Sequence, residues 1–359
     1  MRAGPWSPAP LLGLLLAVGC GGERADGDPA GPSAPTRSWR QASVIGADGR
    51  SPPLTFVIPP ATRSLAIVVR GDPGARYALG ALAIGDQPDL IGLPASVGAP
   101  AQILAEAIDH RGGRVAGALR QTARQGLYTL IWPTTPTITP PPGPLTLVAL
   151  ADRPGPITVE VDAAPATDAR RLHLALVSIG PAATGPDLDA LVAPLTTILA
   201  GAGLELVIDQ RLVLDQAAPP GLELQHEPSE VPSSAAAQLP GLLGRGPASP
   251  ALPLFVVDGL PVGVAGLSLG TPGPPRADTY YSGVVVGRQA DPARLARVAA
   301  HELGHYLGLA HPEDRLVSAA RLDDGLNDTS PDQPNLMNGD SDQLSAAQAA
   351  LLRRSPWLR

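Results

Sequence analysis

Short apolar runs separated by turn residues dominate the first part of the chain. Leu54–Ile58, Leu65–Val69, Tyr77–Ile84, Leu127–Trp132, Leu145–Leu150 and Ile157–Val161 have the length and composition of strands. Pro-Pro and Gly-Asp-Pro-Gly stretches between them favour tight reversals. Many short strands without long amphipathic helices between them predict an all-β, sandwich-like domain over residues 41–165, with room for one helix around Ala101–Asp109.

The pattern changes after that. Leu172–Ile179 reads as a buried strand, and Pro186–Ala200 carries Leu188, Leu191, Val192, Leu195 and Leu199 at helical spacing. Gly201 and Gly203 close the helix, and Leu204–Ile208 reads as the next strand. A strand–helix–strand unit predicts a parallel sheet with a right-handed crossover. Residues 216–250, rich in Pro, Ala, Gly and Ser, read as a long surface loop with a short helix. Leu254–Val257, Val262–Leu269 and Ser282–Val286 follow as strands. A helix then starts with Asp291 as cap and Pro292 at its first position, and Leu295, Val298 and Ala299 give it a buried side. Ser341–Leu352 predicts a final helix, with Leu344, Ala347, Ala350 and Leu351 on one side and Ser341 or Asp342 near its cap. Residues 168–359 thus form a second, mixed domain.

Charge and composition exclude some roles. The net charge is −7 with no basic cluster, which argues against nucleic acid as a partner. All 26 basic residues are arginines, which together with abundant Ala, Gly and Pro points to a GC-rich bacterial genome rather than to a folding constraint. The 43 prolines and 40 glycines suit short strands joined by turns better than a helical protein. Cys20 is the single cysteine, so the folded part has no internal disulfide and no cysteine-based chemistry.

Residues 1–20 have the layout of an export signal: Arg2, then the apolar run 11–18, too short for a membrane-spanning helix. Its end, Ala17-Val18-Gly19-Cys20, resembles a bacterial prolipoprotein signal, although Ala17 stands where leucine is usual. The resemblance implies lipidation of Cys20 and a membrane anchor at the bacterial cell envelope. The alternative is an ordinary secreted protein cut nearby, and both readings export the chain. Residues 21–40 carry almost no large apolar side chain before Trp39 and read as a disordered tether.

The candidate chemistry lies in residues 301–311. His301 and His305, four apart on a helix, project from one face one turn apart, and neutral imidazoles take zinc readily. Glu302 sits beside His301, within reach of a metal's water without being a ligand. Gly308 lets the chain leave the helix through a conformation that a Cβ would obstruct, which brings His311 back as a third ligand and leaves a fourth position open. The run His301-Glu302-Leu303-Gly304-His305-Tyr306-Leu307-Gly308-Leu309-Ala310-His311 resembles the long zinc-binding motif of the metzincin metallopeptidases. The bland alternative, a helix with solvated or packed histidines, requires five specified residues to coincide by accident.

That resemblance implies an α+β metzincin-like catalytic domain with a twisted mixed sheet, an active-site helix and a Met-turn. It also implies an antiparallel edge strand, for which Val262–Leu269 is the candidate, pairing with an extended substrate as an added strand. Met337, the only methionine besides Met1 and 26 residues after His311, matches the methionine that lies beneath the zinc. An ordinary core methionine is its other reading. The stretch Asp324-Gly325-Leu326-Asn327-Asp328-Thr329-Ser330-Pro331 resembles the Asp-rich segment of the pappalysin-like branch. The chain departs from that branch in lacking disulfides, and no tyrosine closely follows Met337. The implied function is a zinc-dependent endopeptidase with Zn2+ on His301, His305 and His311, Glu302 as general base, and a protein or peptide substrate. Its rival is a catalytically inactive metzincin-fold surface binding protein.

Asp323, Asp324, Asp328 and Asn327 offer oxygens to Ca2+, although their spacing is not that of an EF-hand and a solvated acidic loop explains them equally well. His110 stands alone, and His226 lies beside Glu223 and Glu227; both read as solvated loop residues. The β-rich domain reads either as a pro-segment covering the cleft or as an accessory binding module.

Overall fold

The computed structural model describes residues 37–87, 89–91, 126–179, 185–214, 251–260, 264–268, 283–315, 321–339 and 341–359. The export signal with Cys20, the tether up to residue 36, the helix expected around Ala101–Asp109, His110, and the 216–250 loop with His226 lie outside the described residues.

Seven strands build the first domain: β1 (Arg37–Ile45), β2 (Leu54–Ile58), β3 (Thr62–Arg70), β4 (Tyr77–Ile84), β5 (Leu127–Trp132), β6 (Gly143–Ala151) and β7 (Gly155–Pro165). They form two antiparallel sheets, ordered β1-β7-β3-β5 and β2-β6-β4. Side chains alternate across each strand, so Leu54, Phe56 and Ile58 point inward while Thr55 and Val57 face water. Ile157, Val159, Val161 and Ala163 meet them from β7, with Tyr128, Leu130 and Trp132 from β5. Residues 37–40, expected to belong to a tether, are instead the start of β1. Backbone pairing with β7, from Arg37 opposite Ala163 to Ile45 opposite Gly155, orders these residues. A polar edge strand ordered by its partner leaves little apolar trace in its own sequence.

The second domain contains β8 (Arg171–Ile179), α1 (Gly185–Gly201), β9 (Glu205–Leu214), β10 (Leu252–Val257), β11 (Gly266–Ser268) and β12 (Val284–Gly287). It continues with α2 (Pro292–Leu307), β13 (Glu313–Arg315), β14 (Arg321–Asp323) and α3 (Ala346–Leu352). Its main sheet has the order β11-β12-β10-β8-β9, all parallel except β11, which runs antiparallel at one edge. An all-β domain therefore precedes a mixed α+β domain. Leu174, Leu176, Leu254, Val256, Val284 and Val286 on one sheet face pack against Leu188, Leu191 and Leu195 of α1 and Leu295, Ala299 and Leu303 of α2. On the other face, Val177, Ile179, Phe255, Val257 and Val285 pack against Val68 and Leu127 of the first domain. Burial on both faces explains why β10 is apolar at every position instead of alternating.

Two elements differ from expectation. β9 runs to Leu214 rather than Ile208, because its middle is polar yet paired: Asp209 contacts His173 at 2.8 Å, and Arg211 contacts Asp189 at 2.7 Å. The last helix begins at Ala346, with Ser345 as its cap in place of Ser341 or Asp342. Ser345 and Gln348 exchange hydrogen bonds of 3.0 and 3.1 Å in a capping box. Asp328 accepts a further two, from the Ser345 hydroxyl and the Ala347 N–H, both at 2.8 Å. Replacing Asp328 by Ala removes both acceptors, and urea unfolding should show a loss of ~1–2 kcal/mol.

Candidate metal centre

α2 owes its position to both its ends. Asp291 accepts from the Ala293 N–H at 2.9 Å, and Pro292 occupies the first turn. At the other end Gly308 adopts φ 113°, where a side chain is strained, and its N–H closes onto the helix carbonyls of Gly304 and His305. The Leu309 N–H reaches the Gly304 carbonyl at 2.8 Å, which completes the reversal. The chain then delivers His311 back beside the helix.

The three imidazoles converge. Nε2 of His311 lies 3.2 Å from Nε2 of His301 and 3.0 Å from Nε2 of His305, and the three donor atoms fall within 4.8 Å of one another. The outer nitrogens are engaged elsewhere: His301 Nδ1 meets the Leu336 carbonyl at 2.7 Å, and His305 Nδ1 meets the Leu309 carbonyl at 3.0 Å. A carbonyl can only accept, so each of these Nδ1 atoms carries the proton and each Nε2 turns a lone pair inward. Burial lowers the pKa of His301, and the bond to Leu336 opposes that shift. The neutral, metal-binding form is thereby favoured. The Nε2 atoms of His301 and His305 thus converge on Nε2 of His311, and a cation would be held by all three. A tetrahedral zinc at about 2.0–2.1 Å from each nitrogen sets neighbouring nitrogens roughly 3.3 Å apart, so the donor set fits that ion.

Met337 is buried against the same helix: a Cβ on Gly304 would stand 2.9 Å from its Sδ. The turn that carries Met337 is tied by the Asn335 side chain, whose Oδ1 accepts from the Met337 N–H at 2.9 Å and from Gln348 Nε2 at 3.0 Å. The backbones of Asn335 and Asn338 also exchange hydrogen bonds. Gln348, fully buried in α3, thus helps fix the turn whose Leu336 carbonyl orients His301. Neither Gln348 nor Gly304 stood out in the sequence as a supporting residue. The one visible signal for Gln348 was the Ser345-x-x-Gln348 capping box.

Glu302 is buried on the side of α2 that faces β11. Its carboxylate accepts from the Ser268 backbone N–H, and burial pushes its pKa up to about 8 against that bond. A Cβ on Gly266 would come within 2.5 Å of Glu302 Cγ and 2.8 Å of Oε1, so the edge strand can approach only without a side chain there. Glu302 is not among the residues whose ligand atoms share the histidine cluster. Of the expected edge strand Val262–Leu269, the segment Gly266–Ser268 forms β11 at the sheet edge.

In the acidic loop, Asp324 and Asp328 both accept hydrogen bonds from the chain itself. Asp324 accepts from the Leu326 N–H at 3.0 Å and the Thr329 hydroxyl at 2.8 Å, and Asp328 caps α3. These carboxylates fold the loop with the chain's own donors. Among the described residues, only the three histidines gather as a group able to hold a metal.

No known protein family matches the sequence, and no curated protein matches it. Among solved structures, the chain is similar to metalloproteinase-II from Bacteroides fragilis, with 16% identity over 40% of this chain and 44% of that one, at a TM-score of 0.29. It is also similar to archaemetzincin from Methanopyrus kandleri, with 20% identity over 52% of this chain and 88% of that one, at a TM-score of 0.30. The match spans less than half the length of the Bacteroides protein. At these scores, the functional reading rests on this chain's own residues. The described residues comprise an all-β domain, a mixed α+β domain and a histidine cluster able to hold a metal.

Gly308→Ala places a Cβ where φ is strongly positive. It should cost more than about 1 kcal/mol in urea unfolding and weaken zinc binding, measured by chelator competition, by about tenfold or more.

Proposed function

We propose that this chain holds one Zn2+ ion between His301, His305 and His311 in a metzincin-like fold. The observation that carries this reading is the inward turn of the Nε2 atoms, fixed for His301 and His305 by carbonyl acceptors on Nδ1. We further propose that Met337 forms the floor of the centre, and that the chain is exported and held at the cell envelope through a lipidated Cys20.

Two activities suit such a centre. The reading that asks least of the geometry is a surface binding protein, in which the metal sets the shape of a partner site without turnover. Its supporting observation is that the Glu302 carboxylate is held by the Ser268 N–H and lies apart from the histidine donors. The second reading is a zinc-dependent endopeptidase acting on protein or peptide. It adds one demand, that Glu302 face the reacting water.

Glu302 has the surroundings for that role. It adjoins His301 on α2 and lies in a dry environment, where burial raises its pKa to about 8 and favours the protonated acid; a cation among the histidines would favour the carboxylate that a general base requires. A zinc ion supplies Lewis-acid polarisation of a carbonyl and lowers the pKa of water from 15.7 to about 7. With zinc bound, Glu302 would accept the proton of the attacking water and pass it to the leaving amine. An extended peptide would pair along β11 at the sheet edge, where main-chain hydrogen bonds would orient the scissile bond. Water is the nucleophile in this reading and no serine or cysteine is needed, so no acyl-enzyme should form.

The deciding experiment is digestion of a diverse peptide mixture by residues 37–359, read by mass spectrometry beside Glu302→Gln protein and a chelator-treated sample. Cuts that vanish in both controls establish the endopeptidase. Stoichiometric zinc without cuts establishes the binding protein, and absence of zinc removes the centre itself.

If the chain is an endopeptidase, Gly266→Ala displaces Glu302 from its place against β11. Zinc content should stay constant while kcat/KM falls by about 10²-fold, the order expected when a reacting group is misplaced by about 1 Å.

A further inference from the structure

We infer that the β-rich domain is a fixed part of the scaffold of the metal centre, and that Ile131 of β5 is a positioning residue for the turn that delivers His311. The inference rests on the reading of His301, His305 and His311 as metal ligands.

Gly308 has no side chain with which to anchor its own reversal. Hydrogen bonds to Gly304 and His305 hold it from the helix side. On its open side stands Ile131 of the first domain: a Cβ on Gly308 would lie 3.5 Å from Ile131 Cδ1, 3.7 Å from Cβ and 3.8 Å from Cγ2. Two of the three histidines, His305 and His311, depend on this corner. His305 takes its tautomer from the Leu309 carbonyl, one residue past Gly308, and His311 follows three residues later. A shift of β5 therefore moves an orienting carbonyl and a ligand together.

The surrounding interface is built to stay closed. Val177, Ile179, Phe255, Val257 and Val285 are fully buried in one cluster with Val68 and Leu127 of the first domain. A pro-segment that departed would expose that whole sheet face to water, at an apolar cost proportional to the area uncovered. An accessory module would meet its neighbour through a more polar surface. Polar ties reinforce the join. Arg63 donates to the carbonyls of Thr167 at 2.7 Å and Ser355 at 3.0 Å, and the Ser64 hydroxyl donates to the Arg354 carbonyl. Arg354 in turn donates to the Ile138 carbonyl. Two residues past Ser355, Trp357 Nε1 donates to the Tyr306 carbonyl at 3.3 Å, so the same C-terminal segment links β3 to the end of α2.

The test uses the full chain with Ile131→Ala, Ile131→Val and Leu127→Ala. Leu127 lies on the same face of β5, four residues earlier, and truncating it weakens the interface away from Gly308. Readouts are zinc affinity by chelator competition, the visible spectrum of the cobalt-substituted protein, and thermal unfolding. Ile131→Ala should weaken zinc by about tenfold or more and alter the cobalt spectrum, with Ile131→Val recovering most of both. Leu127→Ala should lower the melting temperature and leave affinity and spectrum unchanged, and the wild type should unfold in one transition with loss of zinc. Indifference of zinc and cobalt to Ile131→Ala overturns the inference. So does an equal loss of affinity in Leu127→Ala, or a β-rich domain that melts first while zinc is retained. A wild-type chain that binds no zinc removes the metal centre and this inference with it.

Discussion

The site depends on two backbone carbonyls, those of Leu336 and Leu309. Each takes the Nδ1 proton of an imidazole, and each thereby aims an Nε2 lone pair at a common point. Without them the rings could flip or exchange protons, and the cluster would be three polar side chains in a partly buried pocket. The fold can be understood as the means of holding those carbonyls still. Leu309 is placed by the corner at Gly308. Leu336 is placed by a turn tied to Asn335, and through it to Gln348 in the last helix.

Holding them still draws on distant parts of the chain. The main sheet is buried on both faces, by helices on one side and by the first domain on the other. Such a sheet has little freedom to shear, because closely packed interiors transmit small displacements. α2 rests on this sheet through Leu295, Ala299 and Leu303. Its far end is met by Ile131 from one direction and by Trp357 from another. A cluster whose histidines span only 301–311 thus draws its geometry from residues as far apart in sequence as 63 and 357.

That distance explains what could be read from the sequence. The helix spacing of His301 and His305 and the glycine that ends the helix are local features, and covalent geometry makes them legible. Most strands of both domains are legible too, since burial writes a period of two, or an unbroken apolar run, into the chain. Gly266, Gly304, Gln348 and Ile131 are different. Each matters because of a neighbour brought near by folding: Glu302, Met337, Asn335 and Gly308 respectively. No spacing rule marks them. β1 escaped in part for a related reason, being ordered by pairing with β7 rather than by apolar content. The acidic loop was ambiguous because a carboxylate that caps a helix and one that binds calcium look alike in sequence. Folding adds the donors that Asp324 and Asp328 accept from, which spacing in sequence does not show.

Glu302 brings these threads to one point. Its neighbours pull in opposite directions: burial favours the protonated acid, the Ser268 N–H favours the carboxylate, and a cation among the histidines would favour the carboxylate further. The edge strand that holds Glu302 is also the strand an extended peptide would join. If a peptide pairs with β11, it approaches the same stretch of backbone that supplies the Ser268 N–H. The balance between a static metal site and a working one therefore lies in the contact between Glu302 and β11. Gly266 sets the closeness of that contact, because any larger residue would force the strand and the carboxylate apart.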